Sequence, residues 1–317
     1  MSTKTVQQAG RNKKTIGQFL LTHLRNDWQI YVLLLPALLY FFFVHYLPMY
    51  GIQIAFRDYK AVFGITDSPW VGIKHFRNFF NSYYWKRLFA NTFLLNIYSL
   101  IAGFPIPILI AILLNQTNSK KFKSFTQTVI YVPHFISTVV MAGMIYIFLS
   151  PTNGIINHLL VSMGRKSIYF MAEPRWFRPI YIITGIWQNA GWDSILYIAA
   201  LTGIDPQLYE AATIDGANKL QKIRFIDLPS LVPIITMLLI LNCGHLLGSN
   251  TEKALLFQTP GNIETSDVFG VYVYTMGLGG GQYSYTAAIG LCLNVVSFVM
   301  ILLVNTIVRK MDGSSLF

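Results

Sequence analysis

Acidic residues are scarce in this chain. Asp and Glu number 13 among 317 residues, against 24 Lys and Arg, and all charged residues together make up only 12%. A soluble globular domain carries about a quarter of its residues charged. The deficit, set beside long apolar runs, excludes that class and indicates an integral membrane protein. Cysteine is nearly absent too: Cys243 and Cys292 both lie in apolar runs, which excludes a disulfide framework and a metal site built on cysteine alone. They read as inert buried thiols. The six histidines are dispersed, and neither H-E-x-x-H nor G-x-S-x-G occurs, so hydrolytic chemistry, including intramembrane proteolysis, has no support. A phosphate-binding G-x-x-x-x-G-K-[ST] loop is also missing. The nearest string, Gly164-Arg165-Lys166-Ser167, has Arg between Gly and Lys and lacks the upstream glycine. Any nucleotide must therefore bind another subunit.

The net charge of +11 is scattered over short connectors. That pattern fits positive-inside topology and not a nucleic-acid surface. Residues 1–27 form a basic leader with Lys4, Arg11, Lys13, Lys14 and Arg25. The apolar run behind it is too long for a signal-peptide core and lacks a small-residue cleavage site, so we expect an uncleaved first span with its leader in the cytoplasm. Six stretches meet the length of about 20 apolar residues that crossing requires: 28–50, 88–115, 124–149, 179–201, 231–248 and 285–308. Backbone groups in lipid must be satisfied internally, so these are helices. With the N-terminus inside, the inner and outer pieces hold 13 and 11 Lys and Arg. The tight connector with Lys120, Lys121 and Lys123 decides the orientation, because short loops weigh most. The expected fold is an all-α membrane protein with six transmembrane helices, N-in and C-in. Residues 51–87 mix bases with Phe76, Phe79, Phe80, Tyr83, Tyr84 and Trp85, and read as an amphipathic interfacial segment carrying an aromatic belt. Residues 277–281, GLGGG, read as a flexible turn.

One cytoplasmic piece is too patterned to be a plain connector. Asp205-Pro206 is a helix start, with Asp capping free amides and Pro at the first helical position. Leu208, Ala211, Ala212 and Asp215 follow at spacings of three and four, so leucine and the small alanines share a face on which another backbone fits closely. Gly216 breaks the helix. A basic helical piece with Lys219, Lys222 and Arg224 comes next, ended by Leu228-Pro229, and the whole is a hairpin between the fourth and fifth spans. On this physics it is either a mere joint between spans or a docking element.

The residues then carry a resemblance. Glu210-Ala211-Ala212, Gly216 four residues on, and Ile226, Leu228 and Pro229 match the pattern EAA-x3-G-x9-I-x-L-P, so the loop 205–229 resembles the EAA loop of ABC importer permeases. WQNAGWDSILYIAALTGIDPQLYEAA resembles the carbohydrate-uptake type. PALLYFFFVHYLPMYGIQIAFRDY, Asn91-Thr92 and VRKMDGSSLF resemble the LplB-like oligosaccharide permeases. The likeness covers the chain from about residue 28. It implies a permease core over 88–317, preceded by the leader 1–27 and by 28–87, a first span with its extracytoplasmic segment. It implies a coupling helix from Leu208 to Gly216 that docks on a cytoplasmic ATPase, Glu210 giving a charged contact, Ala211 and Ala212 close packing, and Gly216 the turn. It also implies a multi-pass protein of the bacterial plasma membrane that is not an enzyme and holds no cofactor. Its partners would be a second, similar permease, an ATPase dimer that binds ATP and Mg, and an extracytoplasmic binding protein that delivers oligosaccharide.

Polar residues within the spans are the candidates for a substrate path. Asp193 is the one acid or base, histidine aside, well inside a span, and such a charge is by default functional. Asn189 sits one turn away on the same face, with Trp192 beside it. Asn242, His245 and Ser249 recur at three and four residues in the fifth span, and Asn294 is a weaker case in the last, as are Asn96 and Ser99 in the second. A polar stripe must face protein or water, so interhelical hydrogen bonding is the alternative for each. Pro105, Pro107 and Pro133 are expected to kink their helices. The lining reads as neutral, with Trp187, Trp192 and Tyr98 near it and no Lys or Arg, which suits sugar hydroxyls and ring faces. Two rivals stay open: an ABC permease for peptide or another solute, and an ion-coupled transporter with Asp193 as proton carrier.

Overall fold

The computed structural model describes residues 28–248 and 250–312, with the side chains of 311 and 312 excepted. The basic leader 1–27 and Ser249 lie outside the described residues. The backbone divides into two units, residues 1–53 and 54–317. In the first, α1 (Trp28–Tyr40) continues through a wide π turn, Phe41–Tyr46, and a short α turn, Leu47–Met49, into the 3-10 stretch that begins at Tyr50. None of its residues through Met49 is buried. A helix apolar on every face has no polar side to give to water, so it is built for lipid or a protein partner.

The second unit contains no β-strand among its described residues, only two isolated bridges, Arg57 to Trp70 and Lys60 to Gly64. Its helices are α2 (Lys74–Phe80), α3 (Tyr84–Gly103), α4 (Pro105–Asn115), α5 (Lys120–Tyr131), α6 (Thr138–Phe148), α7 (Ile155–Ser162), α8 (Pro174–Thr202), α9 (Pro206–Ile214), α10 (Lys219–Lys222), α11 (Leu228–Gly244), α12 (Thr251–Phe257), α13 (Ile263–Ser266), α14 (Phe269–Tyr274) and α15 (Tyr283–Asp312). Four helical stretches are long and apolar enough to cross a membrane: Trp28–Phe56, Tyr84–Asn115, Lys219–Gly244 and Tyr283–Lys310. A fifth would be α5 and α6 together, bent by 95°. The expected fourth span lies in α8, 29 residues long, but Gln188, Asn189 and Asp193 make it too polar to count with the others.

Prolines act differently from one place to the next. α3 runs into α4 through Phe104, whose backbone is itself helical, and Pro105 takes the first position of the second half. At Pro133 the outcome is a break: a short 3-10 turn, Val132–Phe135, then Ser137, whose hydroxyl accepts the Val140 N–H and starts α6 in a new direction. Leu228-Pro229 does not end the basic piece as expected. A proline lacks its N–H and collides with the carbonyl four residues back. Here the turns preceding it widen to π geometry over Ile223–Asp227, with Leu228 N–H bonding Ile223 O, and helix runs unbroken from Lys219 to Gly244.

Three apolar clusters hold the unit. Phe177, Ile180 and Tyr181 of α8 pack with Met141, Ala142, Phe257 and Val271. Tyr197, Ile198 and Leu201, at the other end of α8, pack with Ala111, Ile112, Leu114 and Leu231. The third joins Phe79, Leu88, Leu247, Phe269, Tyr272 and Ile289. Part of the expected aromatic belt is therefore core: Phe79 is buried and meets Trp85 edge-on, while Phe80, Tyr83 and Tyr84 stay exposed. Asn91 and Thr92 are buried polar ties, donating to Glu264 O and Asp267 O and accepting the Phe269 N–H. Within the GLGGG stretch only Gly277 is buried, where a Cβ would lie 2.8 Å from Thr286 Oγ1; residues 278–281 are exposed, and Gly279 and Gly281 have open space around them.

Candidate functional site

Between the two clusters on α8 lies a cavity of about 510 Å³. Its walls are α3, α4, α8 and α11 with the chain beyond α11, and its polar lining is Asn96, Ser99, Asn189, Asp193, Asn242, His245, Asn250 and Lys253. Six of the residues singled out from sequence, Asn96, Ser99, Asn189, Asp193, Asn242 and His245, thus share one space. Asp193 is exposed within it and has no hydrogen-bond or ion-pair partner among the described residues. The Asn189 side chain donates to Gly185 O, and its oxygen lies 3.1 Å from His134 Nδ1. The Asn242 side chain donates back to Leu238 O, leaving its amide oxygen to accept. Asn96 is spent on structure, donating to the carbonyls of Thr92, Leu246 and Gly248.

Two candidates are placed elsewhere. Trp192 does not line the cavity; its ring stacks on His134, 4.5 Å between centroids and 4° from parallel. Asn294 is exposed outside it. It stands five residues beyond buried Ile289, about 140° around α15 from the packed face. Trp187 and Tyr98 are likewise absent from the walls, whose aromatics are Phe104, Tyr181 and Tyr197.

The expectation of a lining without Lys or Arg is overturned by Lys253. It sits on α12, 4% exposed, and its Nζ donates to Tyr181 O at 2.8 Å and lies 4.5 Å over the Tyr181 ring. It meets no carboxylate among the described residues. Burial pushes its ammonium down to about 7. Sequence inspection passed over it because α12 belongs to no span; only the fold-back of the chain onto α8 brings it to the cavity.

The hairpin follows directly from α8. Asp205 accepts the Gln207 N–H and Pro206 opens α9. The end of α9 is closed by a Schellman motif: Ala217 N–H bonds Ala212 O, Gly216 N–H bonds Thr213 O, and Gly216 has φ +76°. Asn218 and Gln221 then form a reciprocal capping box that starts α10, and Lys222 Nζ reaches back to Thr213 Oγ1. Leu208, Glu210, Ala211, Asp215 and Gly216 are exposed, Ala212 less so. So are Ile214 and Leu220, at 87% and 76%. Beneath them Asp227, 0% exposed, accepts from Tyr209 OH, from Gln116 Nε2 at 2.7 Å and from Asn115 Nδ2 at 3.3 Å. Burial, and after it the Asp227 carboxylate, push the Tyr209 phenol up to about 12.

A helical bundle with crossing-length apolar helices, a polar cavity and a projecting capped hairpin defines a membrane permease. Residues 103–313 match the family of binding-protein-dependent transport system inner membrane components, and the chain belongs to that family. It is 41% identical, over 96% of its length and 95% of the other's, to the polygalacturonan/rhamnogalacturonan transport system permease protein YteP of Bacillus subtilis (strain 168). It is 40% identical to protein LplB of the same organism, over 93% and 92%. Among solved structures it is similar to a chain of a bacterial ABC transporter involved in the import of the acidic polysaccharide alginate, with TM-score 0.85, 41% identity, and 93% and 99% of the two chains covered. A second structure of such a transporter, in complex with an alginate pentasaccharide-bound periplasmic protein, matches with TM-score 0.85 and 40% identity. The chain is thus a permease subunit of an ABC importer and not an enzyme.

Proposed function

We propose that this chain is one of two similar membrane subunits of an ATP-driven importer of oligosaccharides, acidic ones in particular, in a bacterial plasma membrane. α8 would be the fourth of six spans, with N- and C-termini inside and the hairpin of loop 205–229 in the cytoplasm. The permease core would be 88–317, preceded by the leader 1–27 and the segment 28–87. A cytoplasmic ATPase dimer would bind ATP and Mg, this chain holding no cofactor, and an extracytoplasmic binding protein would deliver the sugar. The observation that carries the reading is connectivity: α8 and α11, the helices on either side of the hairpin, are also walls of the cavity. A displacement of the hairpin thus acts on the cavity walls without chemistry in this chain. Exposed Leu208, Ile214 and Leu220 on the hairpin suit a groove on a partner. Amide and carboxylate groups in the cavity suit sugar hydroxyls. The acidic cargo is suggested by the names of the relatives, polygalacturonan and alginate.

The test is reconstitution of the chain with its co-expressed partners, followed by ATP hydrolysis and uptake with oligogalacturonate. Hydrolysis should rise with loaded binding protein, and replacing Glu210 or Gly216 should separate hydrolysis from uptake while membrane insertion persists. Uptake that continues without any ATPase and tracks a proton gradient would refute the reading. An importer driven by ATP but taking peptide would favour the second reading, since the hairpin reports the engine and not the cargo.

A further inference from the structure

We propose that Lys253 is the cargo-reading residue of the cavity, the group whose ammonium meets a carboxylate of an acidic sugar. The inference rests on the importer reading and names the residue that would set its cargo class. A buried ammonium with no carboxylate partner is costly, and among the described residues Lys253 has none. Its surroundings hold it in place without neutralising it: Tyr181 O accepts one of three N–H donors, and the rings of Tyr181 and Phe257 lie 4.5 and 5.8 Å away. At least one donor is therefore left for a ligand.

The site is shaped for that amine. Gly185 leaves the space it needs, since a Cβ there would stand 3.1 Å from Nζ. The other charge of the cavity, Asp193, is eight residues further along α8, about 12 Å nearer the hairpin. The two charges form no ion pair, and between them the wall offers Asn189 from α8, with Asn242 and His245 across the cavity. A uronate sugar seated there places its carboxylate at Lys253 and its hydroxyls against the amides. Asp193 repels a second carboxylate at the far end, which sets one orientation and keeps binding weak enough for release. A neutral sugar leaves the ammonium unpaired and gains nothing from it.

The test uses the assembled transporter in nanodiscs without binding protein, so that the cavity alone discriminates. Binding of trigalacturonate and of its fully methyl-esterified form is followed by saturation-transfer NMR. Wild type should bind the acid about tenfold or more tightly than the ester, the size expected of a hydrogen bond to a charged group. Lys253→Met, which keeps the apolar stem, should erase that preference and leave the ester unchanged. Lys253→Arg should retain most of it, and Lys253→Gln, which keeps a donor for Tyr181 O, should behave as Met. An unchanged acid-to-ester ratio in both the Met and Gln variants, with complexes assembled, overturns the assignment and leaves the importer reading standing. Absence of binding of either sugar to wild type removes the cargo reading, and this inference with it.

Discussion

Replacing Asp227 by Asn is the most informative change to the hairpin. The buried carboxylate forms no ion pair among the described residues and is satisfied by three donors from two other elements, Tyr209 on α9 and Asn115 and Gln116 at the end of α4. A hydrogen bond to a charged acceptor is worth about 1.5–3 kcal/mol and a neutral one about 1. Asn keeps the shape, weakens two strong contacts by about 1 kcal/mol each, and turns an N–H2 toward one of three donors at a further cost of about 1 kcal/mol. The docked hairpin should therefore lose about 3 kcal/mol, and its undocked population should rise by about a hundredfold. Amide hydrogen exchange over α9 measures this directly, because protection falls in step with the opening free energy. In the reconstituted transporter, ATP hydrolysis should persist while sugar moved per ATP drops. Tyr209→Phe, which removes one donor from a half-buried site, should give roughly a third of the effect. If Asp227→Asn leaves both exchange and the transport-to-hydrolysis ratio within about twofold of wild type, the carboxylate is not what fixes the hairpin.

Three further outcomes follow from local geometry. Gly216→Ala puts a Cβ on a residue at φ +76°, at a cost of about 1–2 kcal/mol, and should uncouple hydrolysis from uptake with normal assembly on gel filtration. Gly191→Ala sets a Cβ 2.0 Å from Ile130 O; α8 must then move off α5, and thermal unfolding in detergent should fall by several degrees, as overpacking of about 1–3 kcal/mol requires. Because burial holds Lys253 at about 7, its charged form is complete only below that pH, so affinity for trigalacturonate should decline as pH rises through 7. Asp193 and His245 also face the cavity, with Tyr181 on α8 and Glu252 on α12 near the amine, so the proof is that Lys253→Arg removes the inflection from the NMR titration.

What the sequence revealed was short-range. The hairpin is legible because Asp205, Pro206 and Gly216 act on neighbours within a few residues, and cap chemistry is written locally. Helices of crossing length are legible for the same reason: apolar runs need no partner to be recognised. Asp227 was not, since its donors stand 18, 111 and 112 residues away. Lys253 was missed because its segment is too polar for a span, and only packing of α12 against α8 carries it inward. Asn294 failed for a different reason. Polarity within a span marks a residue that wants a partner, but it does not say which face of the helix will find one. Pro133 signalled a bend, yet its size depended on Ser137, two residues past the end of the 3-10 turn at Phe135, capping a new helix.

α8 explains why the most polar of the long helices is also the one that binds the others together. Its first third is locked into the cluster around Phe177 and Tyr181, its last third into the cluster around Tyr197 and Leu201, and the polar middle is left to the cavity. At Gly191 its backbone touches α5 so closely that no side chain fits. From that contact to Thr202, where the hairpin begins, is 11 residues, about 16 Å; to Tyr181, which holds Lys253, is ten, about 15 Å. Packed helices shift as rigid bodies and do not bend continuously. Were α8 to turn rigidly about Gly191, a displacement of its hairpin end would return at nearly equal size, and in the opposite direction, at the ammonium. Apolar residues in place of Asn189 and Asp193 would make a better lipid-facing helix and would leave the lever with no cavity to open.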